Sequence, residues 1–355
     1  MLTYIKNKAK QAVRESLVLL KNNNNTLPIH KNLKKIVVVG EHANNTGLQS
    51  GGWTMFWQGT GENYKGATTI LEGIKNNTIA DVIYDKEEVS NFFFLCLEQY
   101  SDIPRIHLQL EPEFTISKSQ TEQYLNTLEA LKHQKPIQYI FGETEFYNLK
   151  FNVSEDVLIP RQETEELVDW IIKCNSKHSE ESLKILDIGT GSGCIAISLA
   201  ENISNAEVYA LDVSEKALEI AKNNAEQNKI DVSFIKANIL DQATWDLDFR
   251  NIKFDLIVSN PPYVRNMEKR EIKRNVLDNE PHLALFVDDY NPLIFYKAII
   301  QFAVDNLKPN GELFFEINQY LGNETKELLM VSNFNEVELR KDLNNNYRML
   351  KGKKK

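Results

Sequence analysis

Ile185-Leu186-Asp187-Ile188-Gly189-Thr190-Gly191-Ser192-Gly193 is the stretch that decides the fold, because an apolar run ends in three glycines at alternate positions. The run is typical of a buried strand, and the apolar segment Cys194–Glu201 that follows it predicts a helix. Glycine lets the backbone turn tightly and approach a ligand closely. A strand, a glycine turn and a helix in this order therefore predict a ligand-binding loop.

Apolar strand-like segments alternate with helical segments over the rest of the chain. The predicted strands are Lys184–Ile188, Glu207–Leu211, Val232–Lys236, Phe254–Ser259 and Gly311–Ile317. The predicted helices between them are Cys194–Glu201, Ser214–Asn228 and Leu293–Leu307. This alternation predicts an α/β fold, in which a mostly parallel sheet carries helices on both faces. Glu336–Lys351 is compatible with a terminal hairpin, and we expect Lys351–Lys355 to be a solvated tail.

The segments upstream of the glycine stretch give weaker signals. Ile36–Val39 is typical of a buried strand that ends at a glycine. Residues from about 80 to 141 look helical, and Ser119–Leu131 repeats leucine at a helical spacing. Glu145–Tyr147 is followed by Leu149–Val153, which alternates apolar and polar residues and so indicates a strand or hairpin. Thr164–Ile172 predicts a helix with one apolar stripe.

The glycine spacing and the following strand indicate what kind of cofactor is bound. The spacing is G-x-G-x-G rather than the dinucleotide pattern G-x-G-x-x-G, and the stretch has no P-loop lysine. Asp212 ends the next strand, where a carboxylate can accept hydrogen bonds from both hydroxyls of a ribose. These features predict that Gly189–Gly193 and Asp212 bind a cofactor that contains a ribose, a class to which S-adenosylmethionine (SAM) belongs. The glycines alone would equally fit a tight strand–helix connection. Asp187 either orients the loop or the amino-acid end of SAM, or is purely structural.

A second motif follows the strand Phe254–Ser259 directly. In open α/β sheets the ligand crevice lies at the carboxyl ends of the strands, so Asn260-Pro261-Pro262-Tyr263 should face the bound cofactor. An amide or exocyclic amine nitrogen is a poor nucleophile because its lone pair is delocalised. The Asn260 oxygen and a proline carbonyl can each accept one N–H of such a group and hold the nitrogen in line. Tyr263 can pack against a flat acceptor.

This tetrapeptide leaves the acceptor open between two planar nitrogens. An Asn-Pro turn that merely closes a strand is the simplest alternative. A flipped adenine base presents an exocyclic amine, and a glutamine side chain presents an amide. An adenine methyltransferase would be expected to have a target-recognition domain and a basic groove. We find neither in the sequence, whose formal net charge is −9.

From about Glu87 to Lys351, the chain resembles the HemK/PrmC family of peptide chain release factor glutamine N5-methyltransferases. The markers are Pro136–Gly142, Glu145–Tyr147, Val157–Arg161, Glu163–Glu165, Asp187–Gly193 and Asn260–Tyr263. The resemblance implies a helical N-terminal domain and a seven-stranded, Rossmann-like methyltransferase domain. It also implies methyl transfer from SAM to the glutamine of the Gly-Gly-Gln motif in release factors. A ribosomal-protein glutamine is an alternative acceptor for the same pocket.

The resemblance also assigns individual residues. It implies SAM binding by Gly189–Gly193, Asp212, Asn238, Ile239 and Asn260, with Ile239 against the adenine ring. Asn238 stands where the family more often has Asp, and Gln162 replaces a usual proline. Asn260, Pro261 and Tyr263 are the implied catalytic residues, with Pro262 beside them on the substrate side. Arg161 and Glu163 lie on the substrate side or belong to a structural ion pair.

The first 79 residues resemble the start of the second domain of glycoside hydrolase family 3. The markers are Ala12–Lys21, Leu27–Ile29, Ile36–Gly40, Gly51–Thr54 and Trp57–Gly59. In that family the region helps to line the sugar site, which makes Trp53 and Trp57 candidate sugar-stacking residues. The barrel domain with the nucleophilic aspartate is absent from the sequence. Glycoside hydrolysis needs two positioned carboxyl groups, so we expect no glycosidase activity. A non-catalytic carbohydrate-binding module is a third, weaker hypothesis.

Four regions follow from these interpretations. Residues 1–79 form the glycosidase-like α/β fragment, and residues 80–141 form a helical substrate-recognition domain whose first helix is missing. Residues 142–160 form a hairpin connector, and residues 161–355 form the SAM-dependent methyltransferase domain.

Composition narrows the cellular setting. The 355 residues include 3 cysteines, far apart and without metal-ligand spacing, so neither a disulfide framework nor a metal site is expected. No stretch approaches the roughly 20 apolar residues that span a bilayer. An acidic chain is a poor non-specific binder of nucleic acid. We expect a cytoplasmic, monomeric enzyme that acts on a protein, with no membrane contact and no sequence-specific nucleic-acid binding.

Overall fold

The computed structural model describes residues 33–39, 41–46, 67–85, 88–101, 103, 115–175, 182–245 and 247–355. The chain divides into two compact units, Met1–Gln120 and Thr121–Lys355. The predicted sugar-stacking residues Trp53 and Trp57 lie outside the described residues, as do the markers Ala12–Lys21 and Leu27–Ile29.

The first unit contains a small parallel sheet. Strand β1 (Lys35–Val39) pairs with β2 (Asp81–Asp85), with Lys35 opposite Asp81 and Val39 opposite Asp85. Helix α1 (Ile70–Lys75) lies between them in sequence and contributes Leu71 to a small core with Val38 and Ala43. The strand predicted at Ile36–Val39 is confirmed.

The structure differs from the prediction just after residue 80. Asp81–Asp85 is a strand, although the whole region from about 80 onwards looked helical. Its short β-branched and aromatic run pairs with β1 across more than 40 intervening residues, and such distant pairing has no local signature. The helical content predicted further on is confirmed in α2 (Glu88–Ser101), α3 (Lys118–Lys132) and α4 (Ile137–Phe141).

The predicted hairpin follows α4. Strands β3 (Glu143–Phe146) and β4 (Leu149–Asn152) are antiparallel. The two-residue turn Tyr147-Asn148 has φ values of 48° and 62°, as a tight hairpin of this kind requires. The backbone N–H of Tyr147 donates to Oε1 of Glu165 at 2.7 Å, which anchors the turn to the next helix.

A seven-stranded sheet forms the centre of the second unit. Its strands are β5 (Leu183–Ile188), β6 (Ala206–Asp212), β7 (Ser233–Lys236), β8 (Phe254–Ser259), β11 (Leu307–Glu316), β12 (Phe334–Lys341) and β13 (Tyr347–Lys354). Their order in the sheet is β12-β13-β11-β8-β5-β6-β7. Strands β5 to β8 and β11 are parallel, whereas β13 is antiparallel to both of its neighbours. The predicted strands are confirmed, with ends that differ by a few residues. The fold is that of a SAM-dependent methyltransferase.

Helices cover both faces of this sheet, as predicted. They are α5 (Gln162–Asn175), α6 (Cys194–Asn202), α7 (Glu215–Asn228), α8 (Leu247–Asn251), α9 (Arg274–Leu277), α10 (His282–Leu285), α11 (Ile294–Asn306) and α12 (Gly322–Val331). One core packs α5 and α6 against the sheet through residues such as Leu167 and Ile197. The other core packs α11 through Tyr296 and Ile299. A short parallel pair, β9 (Val264–Arg265) and β10 (Phe286–Val287), follows β8 in the chain.

The C-terminal residues form a strand, so the predicted solvated tail is wrong. Strand β13 extends to Lys354 and lies between β12 and β11, so its backbone is paired on both sides. Two of its lysines are held individually. The Nζ of Lys351 lies 3.1 Å from Oε1 of Glu312, and the Nζ of Lys354 donates to the carbonyl of Leu307 at 2.6 Å. Here the lysine run belongs to a strand with a partner on each side, which the local composition does not reveal.

Candidate active site

A cavity of about 420 Å³ opens at the carboxyl ends of β5, β6 and β8. This volume is within the range of small-molecule sites. Most of the predicted site residues line it: Gly189–Ser192, Asp212, Asn238-Ile239 and Asn260–Pro262. The carboxyl ends of neighbouring parallel strands therefore bring together the two motifs, which are about 70 positions apart in the sequence.

The glycine loop after β5 adopts backbone conformations that favour glycine. The φ angles of Gly189 and Gly191 are 77° and 55°, and a Cβ added at either position would meet no atom within 4 Å. The N–H groups of Gly189 and Thr190 both donate to the carbonyl of Leu211, at 2.8 and 3.0 Å. These bonds fix the loop against the end of β6. The space where the two Cβ atoms would stand stays open, so a ligand can approach the backbone.

Asp212 holds the same loop with its side chain. Its Oδ2 accepts from the N–H of Gly191 at 2.9 Å, and its Oδ1 accepts from the N–H of Ser214 at the same distance. Burial raises the pKa of this carboxyl, and the backbone donors oppose that rise. Each oxygen keeps a further lone pair for a ligand hydroxyl.

Gly193 is the one predicted glycine that is not part of the cavity wall. It caps the N-terminus of α6 with a φ of 82°. A Cβ at this position would stand 3.0 Å from Cδ1 of Ile197 and 3.1 Å from the Cβ of Ala221. Its role in the structure is therefore to let α6 and α7 pack closely beside the loop.

Asp187 is fully buried behind the loop. Its Oδ2 accepts from the hydroxyl of Thr190 at 2.7 Å, while no hydrogen bond reaches Oδ1 among the described residues. Burial raises its pKa to about 7, and the nearby charge of Asp212 adds to the rise. The contact with Thr190 makes Asp187 a support of the loop.

Asn238 and Ile239 lie after β7 and form another part of the wall. The Oδ1 of Asn238 accepts from the N–H of Leu240 at 3.0 Å, and its backbone N–H donates to the hydroxyl of Thr244 at 2.9 Å. Ile239 is 9% exposed and offers an apolar surface. The turn is thus stiffened by its own side chain.

Asn260 lies at the end of β8 with its amide group held by a neighbour. Its Nδ2 donates to Oγ1 of Thr164 at 3.3 Å, and both residues line the cavity. Thr164 belongs to the first turn of α5 and in turn donates to Oε2 of Glu316 at 2.6 Å. In the next position along the loop, no hydrogen bond from a described residue reaches the carbonyl of Pro261.

Tyr263 is not part of the cavity wall, although it was predicted to pack against the acceptor. Its hydroxyl donates to Oε1 of Glu316 at 2.9 Å and accepts from Nη1 of Arg348 at 3.4 Å. Burial and the charge of Glu316 raise the pKa of Tyr263 well above its usual range. The side chain therefore points into the protein, and its backbone carbonyl is held by Nδ2 of Asn318 at 3.0 Å.

Arg161 lines the cavity and pairs with Glu280 rather than with Glu163. The Glu280 side chain is 1% exposed, and its Oε2 also accepts from the N–H of Ile159 at 3.2 Å. Arg161 was interpreted either as a substrate-side residue or as part of a structural ion pair. The ion-pair interpretation has a defined partner, Glu280. Glu163 forms no hydrogen bond or ion pair with any residue described.

The chain is similar to known methyltransferases over most of its length. A release factor glutamine methyltransferase from Flavobacterium psychrophilum is 56% identical over 270 residues, which are 76% of this chain and 93% of the relative. The chain belongs to the release factor glutamine methyltransferase family. A second member, from Bacteroides thetaiotaomicron, is 40% identical over 261 residues, 74% of this chain and 91% of that protein. A model of a methyltransferase domain matches residues 179–353.

Two further likenesses are more distant. A model of the glycosyl hydrolase family 3 C-terminal domain matches residues 17–253 weakly. It agrees with the resemblance of residues 1–79, but from residue 183 onwards its range covers strands of the methyltransferase sheet. The crystal structure of a ribosomal protein L11 methylase from Lactobacillus delbrueckii subsp. bulgaricus is 22% identical. It covers 55% of this chain and 81% of its own, with a TM-score of 0.39.

Sequence reasoning missed three side chains that shape the methyltransferase site. Thr164 and Glu316 hold Asn260 and Tyr263, and Glu280 holds Arg161. Glu316 carries a local signal, because it is a carboxylate at the end of an apolar strand. Thr164 lies inside a motif quoted for its resemblance, without an assigned role. Glu280 gives no local signal, since its partner is 119 positions away.

Two kinds of feature are absent from the described residues. No helix there is long and apolar enough to cross a membrane. In the same part of the chain, no group of three or more His, Cys, Asp and Glu side chains could hold a metal ion.

Proposed function

We propose that this methyltransferase transfers a methyl group from SAM to the side-chain amide nitrogen (N5) of the glutamine in the Gly-Gly-Gln motif of peptide chain release factors. The observation that carries the proposal is the placement of Asn260. Its carboxamide is held by Thr164 at the cavity, at the carboxyl end of β8, in a chain that belongs to this enzyme family.

The residues of the cavity fit SAM. The open space at Gly189 and Gly191 would let a ligand lie against the loop backbone. Asp212, already fixed by two backbone donors, would accept the ribose hydroxyls, and Ile239 would pack on the adenine ring. When bound, SAM supplies a methyl group on a positively charged sulfur, which an in-line nucleophile can take.

The chain's own residues would position the acceptor. The Oδ1 of Asn260 and the carbonyl of Pro261 can each accept one N–H of the substrate amide, which holds its nitrogen in line and raises its electron density. Proline fixes the backbone from which that carbonyl points. No strong base is needed before the transfer, because the nitrogen can lose its proton afterwards. Tyr263 would support the loop from behind through its hydrogen bond to Glu316.

A labelling experiment with three candidate methyl acceptors tests the proposed substrate against its alternatives. Purified protein is incubated with methyl-labelled SAM and a release factor, a ribosomal protein or duplex DNA. We expect label on the release factor, and none when the glutamine of its Gly-Gly-Gln motif is replaced by alanine. Label on DNA, or on the ribosomal protein alone, would contradict the proposed substrate.

Further proposals concern residues 1–141, which precede the hairpin, and the state in which the protein acts. We propose that residues 80–141, which include α2, α3 and α4, contribute to recognition of the release factor. Residues 1–79 are proposed to be non-catalytic, because the part of the glycosidase family that they resemble carries neither of the two carboxyl groups that glycoside hydrolysis needs. Hydrolysis of an aryl-glucoside by the purified chain would contradict the latter. The protein is further proposed to act as a cytoplasmic monomer.

A further inference from the structure

A row of hydrogen bonds leads from Asn260 into the protein interior. Nδ2 of Asn260 donates to Oγ1 of Thr164, and Thr164 donates to Oε2 of Glu316. The hydroxyl of Tyr263 donates to the other oxygen of Glu316, and Arg348 lies behind that hydroxyl. Thr164 and Glu316 are each 2% exposed, and the hydrogen bond between them is buried.

The direction of these bonds is decided by the number of protons available. A threonine hydroxyl has one proton, and an ionised carboxylate has none. Thr164 gives its proton to Glu316 at 2.6 Å, so its oxygen can only accept a hydrogen bond from Asn260. The NH₂ group (Nδ2) is the only part of the Asn260 side chain that can donate a hydrogen bond. Its carbonyl oxygen, Oδ1, is therefore left for the cavity.

The two supporting residues lie on rigid elements. Phe315 is opposite Ser259 in the sheet, so the end of β11 holds Glu316 beside the end of β8. Thr164 lies in the first turn of α5, whose apolar face is fully packed in the core. Neither residue needs to move for Asn260 to be held.

We infer that Thr164 and Glu316 are positioning residues, which fix the carboxamide of Asn260 so that Oδ1 and not Nδ2 faces the methyl acceptor. The inference rests on the proposed function, because an amide N–H acceptor needs an oxygen opposite it. If the carboxamide were turned over, its NH₂ group would face the NH₂ group of the substrate. The nitrogen of the substrate would then be neither held nor activated.

Two substitutions act on this orientation without removing Asn260. Thr164→Val keeps the side-chain volume and removes the hydroxyl, whereas Thr164→Ser keeps the hydroxyl. Glu316→Gln introduces an NH₂ group that can donate to Thr164, which frees the threonine proton to bond Oδ1 of Asn260 and turns the carboxamide over. Loss of correct placement of a reacting group can cost about 100-fold in rate.

The test measures kcat and KM for the release factor, together with the dissociation constant for SAM and the unfolding midpoint. We expect Thr164→Val and Glu316→Gln to lower kcat by about 100-fold with little change in SAM affinity. Thr164→Ser should recover most of the rate. In an Asn260→Ala background, Thr164→Val should leave the residual rate unchanged, because the group that it positions is gone.

Thr325→Val is a matched control. Thr325 is another fully buried threonine, on α12, and its hydroxyl donates to the carbonyl of Leu321 at 2.8 Å. We expect it to lower stability as much as Thr164→Val does, but to leave kcat unchanged.

Each outcome of the test is decisive. A folded Thr164→Val variant that binds SAM and keeps the wild-type kcat overturns the inference alone. So does an equal loss of rate from Thr164→Val in the presence and absence of Asn260. A wild-type enzyme that does not methylate the release factor overturns the proposed function and the inference with it.

Discussion

The backbone N–H of Gly191 donates to Oδ2 of Asp212 at 2.9 Å, which joins the loop after β5 to the end of β6. The carboxylate thus has two functions, because it shapes the glycine loop and faces the cavity that the loop lines. Cofactor affinity and loop geometry should therefore be lost together when this residue is changed.

Replacement of Asp212 tests this coupling. Asp212→Ala removes an ionised acceptor from two backbone donors, and hydrogen bonds to charged groups contribute about 1.5–3 kcal/mol each. We expect SAM affinity, measured by calorimetry, to fall at least about 10-fold. Glu215→Gln is the control, since among the described residues this exposed carboxylate forms its one ion pair with Lys236. An Asp212→Ala variant with wild-type affinity would contradict the assignment.

Gly193 should be required for packing rather than for binding. Gly193→Ala places a Cβ at a φ of 82° and about 3 Å from Ile197 and Ala221, which we expect to cost about 1–3 kcal/mol of unfolding free energy. Gly322→Ala is the control, because its Cβ would meet only ordinary contacts of 3.4 Å or more. Equal effects of the two substitutions in denaturant titrations would be evidence against this role.

Arg161 allows the ion-pair interpretation to be tested against a substrate-side role. Arg161→Ala leaves the buried carboxylate of Glu280 without its cation, and loss of one partner of a buried pair costs about 3–5 kcal/mol. Arg161 is one third exposed, so we expect the lower end of this range. Adding Glu280→Gln should restore most of the loss. An unchanged unfolding free energy with a raised KM for the release factor would instead assign Arg161 to the substrate side.

Asp187 should make stability depend on pH. Its folded pKa of about 7 lies above the unfolded value of about 4, so the unfolded chain ionises first as the pH rises. The contribution of Asp187 to the unfolding free energy is therefore most favourable below pH 4. It falls as the pH rises from 4 to 7. Asp187→Asn lacks this titration. The unfolding free energy of the variant minus that of the wild type should therefore increase by about 3 kcal/mol from pH 5 to pH 8. Parallel pH profiles of the two proteins, measured without cofactor, would show that Asp187 does not titrate in this range.

Much of the second unit could be predicted because its signals are local. The sheet strands are apolar runs, and the glycine loop and Asn260–Tyr263 each follow one of them directly. Parallel strands place those carboxyl ends side by side, so the cavity follows from the alternation of strands and helices.

The structure differs from the sequence predictions where a contact with a residue far along the chain selects the conformation. Lys351 and Lys354 looked solvated, but β13 lies between two strands. Tyr263 shares a loop with Asn260, yet it turns to Glu316, 53 positions later in the chain. Asp81–Asp85 forms a strand because β1 is available to it. In each case the local pattern is compatible with two outcomes, and a contact far along the sequence selects one.

The most direct measurement locates the methyl group. The release factor is incubated with SAM and either the wild type or Asn260→Ala, and its peptides are analysed by mass spectrometry, while SAM binding is measured on the same preparations. The account predicts one added methyl group on the glutamine of the Gly-Gly-Gln motif with the wild type. With Asn260→Ala, which should still bind SAM, it predicts methylation reduced to a small residual rate, at least about 100-fold below that of the wild type. Methylation at another residue, or undiminished methylation by Asn260→Ala, would contradict it.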